Sequence, residues 1–125
     1  MTAPDSVFLR IPEGQWIANN ASCFAIFDAN PASPGHVLVI PHRLVASWFA
    51  ATSEEVSDAI QLVSAVKRHL DERFTPDGYN VGFNDGAASG QSIFHAHLHV
   101  IPRYASDVPH AAGGIRHAAI GHGNY

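Results

Sequence analysis

The chain carries 9 histidines in 125 residues, and His95, His97 and His99 lie close enough together to act as one group. They alternate with Ala96, Leu98 and Val100, and residues two apart in a strand share a face. One face of the segment is therefore imidazole and the other is core. Imidazoles stacked along a pleat lose hydration unless each finds a hydrogen-bond partner or a ligand, so the spacing points to a use. Three uses compete. Three imidazoles plus water can hold zinc, although no carboxylate or cysteine stands nearby in the sequence. A structural ladder can be satisfied by backbone carbonyls and water. In nucleophilic catalysis, one neutral imidazole attacks while its neighbours hold its tautomer and neutralise developing charge. The loop just upstream favours catalysis. Gly86, Gly90, Gln91 and Ser92 supply backbone N–H groups, a side-chain amide and a hydroxyl, donors that suit a phosphate without a formal positive charge.

The elements around the trio must aim it. Apolar runs from Cys23 to Phe27 and from His36 to Ile40, bounded by polar and Pro/Gly-rich segments, read as buried strands that pair. The intervening Asp28-Ala29-Asn30-Pro31-Ala32-Ser33-Pro34-Gly35 is a loop with ordered turns. Thr52 and Glu55 form a capping box, and Val56, Ala59, Ile60, Val63, Val66, Leu70 and Phe74 follow with helical spacing. The charged residues Glu54, Asp58, Lys67, Arg68, Asp71 and Glu72 mark the solvated face. Pro76-Asp77-Gly78 ends this helix, a strand runs from Tyr79 to Asn84, and another from about Phe94 to Ile101. On the earlier strands His36, Leu38 and Ile40 share one face, as do Asn80, Gly82 and Asn84, so polar residues converge at strand ends. The expected fold is α+β: an antiparallel sheet of about five strands with one long helix and a short helix packed on it. Residues 104–125 form a tail with no assigned secondary structure.

Composition narrows the function. A mass of 13.4 kDa fits one domain, and 46% hydrophobic against 14% charged residues is ample for a core. A formal net charge of −4 gives no broad cationic surface, so neither polymeric nucleic acid nor an anionic membrane is an expected partner. A single cysteine, Cys23, cannot form an internal disulfide. The N-terminal residues lack the layout of a signal peptide, so a cytoplasmic location is expected.

The segment His95-Ala96-His97-Leu98-His99-Val100-Ile101 resembles the signature of the histidine triad, or HIT, nucleotide hydrolases and transferases: His-x-His-x-His followed by two apolar residues. Gly90-Gln91-Ser92-Ile93-Phe94 is similar to that family's phosphate-contacting lead-in. Gly35-His36-Val37-Leu38-Val39-Ile40-Pro41 is similar to the strand bearing its fourth histidine. The resemblance runs from about Cys23 to Arg103.

It implies that His97 attacks the α-phosphorus of a nucleotide and becomes a covalent nucleotidyl-histidine, with a backbone carbonyl near His95 accepting from Nδ1–H and leaving Nε2 free. By the same resemblance His99 contacts phosphate oxygens, His36 orients or polarises the trio, and Asn84 touches ribose or phosphate. Gln91 and Ser92 meet the phosphate and leaving group, and Asp28 accepts from the ribose hydroxyls. Asp28 reads equally well as a turn-capping aspartate. His42 and His69 read as surface residues, while His110, His117 and His122 lie in the tail. Many relatives place a histidine where Leu44 stands, and the zinc-binding branches use N-terminal cysteine pairs absent here, so no metal is expected. Transferase branches commonly carry glutamine in place of the third histidine, so His99 favours water as the acceptor.

The expected activity is therefore hydrolysis at the α-phosphorus of an adenosine-type nucleotide, a phosphoramidate or a dinucleoside polyphosphate, without a cofactor. The rivals are a nucleotidyltransferase, a non-catalytic nucleotide-binding or sensing protein, and a metal-binding histidine protein. Homodimerisation is expected from the apolar faces of a half-covered sheet.

Overall fold

In the computed structural model, residues 5–119 are described. Five antiparallel strands, β1 (Ala18–Asn19), β2 (Cys23–Phe27), β3 (Val37–Pro41), β4 (Gly78–Gly82) and β5 (Leu98–Arg103), form one sheet in the order β1-β2-β3-β5-β4. The helix α1 (Ser53–Phe74) covers one face. The α+β layer expected from the sequence is thus the fold. The short helix of that expectation is a 3-10 turn, Val7–Arg10, on the sheet face opposite α1.

β2 and β3 lie in the middle of the sheet and are buried on both sides, which is why they read as unbroken apolar runs. Cys23, Ala25, Val37 and Val39 meet Ala59, Leu62, Val66 and Leu70 of α1. Phe24, Ile26, Leu38 and Ile40 meet Phe8 on the other side. The Thr52–Glu55 capping box is present. The apolar stripe of α1 differs from the expected one: Leu62 is buried, while Val56 and Ile60 are 40% and 56% exposed. The buried positions Glu55, Ala59, Leu62, Val66 and Leu70 are three or four residues apart, and Val56 and Ile60 sit one position, about 100°, off that line. Glu55 tolerates burial because Arg43 donates to both carboxylate oxygens, at 3.1 and 2.7 Å, and the Thr52 N–H to one of them. Arg43 accordingly draws the carboxyl down to about 2.

Two joints matter for the site. The register pairs Leu38 with His99 and Gly82 with His99, so β3 and β4 flank the third histidine. Gly35, with φ +89°, lets the loop turn into β3 against α1: a Cβ there would lie 3.0 Å from Cδ2 of Phe74. β4 ends at Gly82, two residues before the expected end, and β5 begins at Leu98. His95 and His97 therefore precede the ladder, in a segment anchored by Ala96 N–H donating to Val45 O at 2.7 Å. Alternation still holds there, because Ala96, Leu98 and Val100 pack toward α1. In the tail, Gly114–Ala118 is a 3-10 turn whose Ile115 lies over Gly82. No helix among the described residues is long and apolar enough to cross a membrane.

Candidate active site

The three histidines are held in three different ways. His95 is 0% exposed, and both ring nitrogens are engaged: Nε2 at 2.8 Å from Pro41 O and Nδ1 at 2.8 Å from Ser6 Oγ. A carbonyl only accepts, so the proton of His95 sits on Nε2 and the Ser6 hydroxyl donates to Nδ1. Burial lowers the pKa of this ring and keeps it neutral. With no free nitrogen, His95 is a positioning residue, although the sequence groups it with the catalytic trio.

What His95 positions is its own carbonyl, which lies 2.8 Å from Nδ1 of His97. That fixes the proton of His97 on Nδ1 and leaves Nε2 bare. No other group among the described residues is bonded to this ring, whose flank meets the edge of Phe8 at a centroid distance of 5.1 Å. His97 and His99 line a hollow of about 830 Å³ whose apolar wall includes Phe8, Ile11, Ile26, Phe27, Leu38 and Ile93. Asp28 and Ser92 are among its polar groups. A bare imidazole nitrogen beside an apolar slot and a carboxylate suits attack on an electrophile attached to a flat apolar group and a hydroxyl-bearing one.

His99 also lines a second hollow of about 450 Å³, shared with His36, Asn80, Asn84 and Ile115. Nε2 of His36 lies 2.9 Å from Nδ1 of His99 and 3.5 Å from Oδ2 of Asp28. One ligand-type atom from each of Asp28, His36 and His99 falls within 4.8 Å of the others, close enough for a metal ion. Burial, reinforced by the neighbouring His97 and His36, lowers the pKa of His99 to about 4, and burial lowers that of His36 against the pull of Asp28.

The remaining sequence candidates separate. Asp28 is a turn cap, its Oδ1 accepting from Asn30 N–H at 2.8 Å, and its Oδ2 faces His36. Gln91 is buried, and its amide is engaged within the scaffold, accepting from Gly86 N–H and donating to Ala46 O and Ile93 O. It shapes the loop and does not line either hollow. Gly90, with φ +103°, closes the 3-10 turn Ala87–Ser89 before it. Asn84 lines the second hollow, not the first. His69 is exposed, and His42 packs on Phe24 and Trp16 away from the trio. His117 bonds Ala112 O, His110 is exposed, and neither lines a hollow; His122 lies outside the described residues. Burial pushes the thiol of Cys23 up to about 12, which removes it as a nucleophile. Sequence reasoning missed Ser6 and Phe8, because neither has a motif and only the fold brings them against the trio.

The model of the HIT domain matches residues 12–106. The chain belongs to the HIT family. Among relatives, the asymmetrical bis(5'-nucleosyl)-tetraphosphatase of Schizosaccharomyces pombe is 35% identical over 101 residues, 80% of this chain and 56% of that protein. The AP-4-A phosphorylase of Mycobacterium tuberculosis is 32% identical over 111 residues, 84% of this chain and 57% of that one. The chain thus spans little more than half the length of either. A HIT family protein from Bacillus anthracis superposes with a TM-score of 0.75 at 34% identity, covering 84% of this chain and 77% of that structure. Ser6 and Phe8 lie before the matched span, so the contacts that brace His95 and His97 come partly from residues that the family match does not cover.

Proposed function

We propose that this HIT domain hydrolyses a nucleotide at its α-phosphorus in two displacements through His97. The carrying observation is the bare Nε2 of His97, set by the His95 carbonyl, at the hollow that also holds Asp28. In the first displacement the Nε2 lone pair forms a bond to phosphorus, the bond to the leaving group breaks, and the leaving group takes a proton. In the second, water attacks phosphorus, the phosphorus–nitrogen bond breaks, and a nucleoside monophosphate departs. The apolar wall receives the base, Asp28 the ribose hydroxyls, and His99 and Ser92 the phosphate oxygens. Two relatives named for nucleoside polyphosphate chemistry support a nucleotide substrate.

The leaving group is an amine in preference to a polyphosphate. No Lys or Arg among the described residues lines either hollow, and Asp28 adds negative charge to the first. Arg103, which donates to Asn80 of the second hollow, is paired with both oxygens of Asp107 at 2.8 and 2.9 Å. A departing nucleoside polyphosphate carries several charges that such a channel leaves unneutralised. An adenosine phosphoramidate should accordingly show a higher kcat/KM than a diadenosine polyphosphate, and the reverse order would overturn the preference.

The test of the mechanism is acid or alkaline quenching during turnover. A nucleotide linkage that survives alkali, breaks in acid and maps to His97 is expected; turnover without any such adduct counts against the two-step path. A ribose role for Asp28 has its own consequence. Asp28→Ala should raise KM for nucleotides about 10-fold or more, the worth of hydrogen bonds to a charged acceptor, with a smaller effect on kcat. Steady-state kinetics checks it, and an unchanged KM would leave Asp28 only its turn-capping bond.

A further inference from the structure

The loop between β2 and β3 is pinned at several points. Asp28 N–H donates to His36 O, Ser33 Oγ donates to Pro102 O, and the Tyr104 hydroxyl donates to Pro34 O. So held, the loop aims the backbone N–H of Ala32 at Nδ1 of His36, 2.9 Å away. A ring nitrogen that accepts from an N–H carries no proton, so the proton of neutral His36 is on Nε2. That proton faces Nδ1 of His99 at 2.9 Å, which must then accept, and the proton of neutral His99 is forced onto its own Nε2. One backbone amide therefore determines the orientation of two consecutive imidazoles.

The same amide bears on the Asp28, His36 and His99 cluster. A zinc ion binds bare imidazole nitrogens at about 2.0 to 2.1 Å. It would need Nε2 of His36, and the proton displaced from there could only move to Nδ1, where it would confront the Ala32 N–H and end that bond.

We infer that the backbone N–H of Ala32 is a positioning group that directs the His36 and His99 protons so that His99 presents Nε2–H to the substrate phosphate, and that it weakens metal binding at the Asp28–His36–His99 cluster. Only the use made of the His99 proton rests on the proposed hydrolase reading. The tautomers and the weakened metal binding stand without it.

Nitrogen-15 NMR of the histidine rings tests the inference in the unmodified protein: His36 and His99 should both carry their proton on Nε2. A backbone ester replacing the Pro31–Ala32 amide removes the N–H and keeps the side chain; Ala32→Pro removes it genetically. In the ester protein a fraction of both rings should move to the Nδ1–H form. Zinc, followed through the His36 and His99 signals, should bind about 10-fold more tightly, the worth of one lost hydrogen bond. Turnover should fall by a similar factor with KM unchanged. A His36 proton on Nδ1 in the unmodified protein, or an ester protein with unaltered tautomers and zinc affinity, overturns the inference. Correct tautomers in a protein that hydrolyses no nucleotide would count against the hydrolase reading alone.

Discussion

His97→Ala should lower hydrolysis of an adenosine phosphoramidate by about 10⁴-fold or more while leaving nucleotide affinity nearly unchanged, the pattern for loss of a nucleophile that makes its bond only in the reaction. The separation is expected because the groups that would bind the nucleoside are elsewhere: the apolar wall and Asp28 line the hollow independently of His97. Folding should also survive, since the ring is only half-buried and makes one hydrogen bond, to the His95 carbonyl. Single-turnover kinetics read beside equilibrium binding of a nucleoside monophosphate separates the two effects. A nucleotide sensor whose turnover is incidental would keep its behaviour in this variant. Full hydrolysis retained by His97→Ala would remove the mechanism altogether, because no other ring nitrogen among the described residues of the first hollow is set bare by a backbone carbonyl.

What the sequence revealed and what it hid divide along physical lines. The bounds of β2 and the capping box of α1 were legible because burial on both faces and reciprocal hydrogen bonding leave local signatures. The helix stripe was legible at Ala59, Val66 and Leu70 but not at its edges, since Val56 and Ile60 are as apolar as Leu62 and only the sheet decides which line is covered. The trio was legible as a group, but the unlike states of its members were not. His95 is sealed by Ser6 and Pro41, 89 and 54 residues away in the chain, whereas His97 is set by a carbonyl two residues away. Gln91 illustrates the converse: its place beside the trio suggested phosphate contact, yet the backbone of the surrounding loop takes up its amide. Long-range hydrogen bonds have no periodicity, so no pattern in the sequence announces them.

The buried neutral imidazoles make stability fall as the solution is acidified. In the unfolded chain a histidine takes up its proton near pH 6.5, whereas burial and the adjacent rings hold His99 at about 4 in the folded protein, and His36 and His95 are also held low. Between those values the unfolded chain binds more protons than the folded one, so stability is fully present above about pH 6.5 and is lost as the pH falls toward 4. For His99 alone the loss approaches about 3 kcal/mol, because each pH unit separating the folded and unfolded values is worth roughly 1.4 kcal/mol. The carboxylates act in a lower window: Glu55, held at about 2 by Arg43, contributes stability above its ordinary value that is lost only as the pH falls below about 4.5. The first decline therefore belongs to the histidines. Urea midpoints should drop steadily from pH 7 to 4.5, and His99→Asn, which cannot take up the proton, should show a shallower slope over that interval. A flat midpoint across it would mean that these rings take up protons in the folded protein as readily as in the unfolded chain. Charged rings cannot leave Nδ1 of His36 to accept from Ala32, so the same titration bears on the proton direction that the site requires.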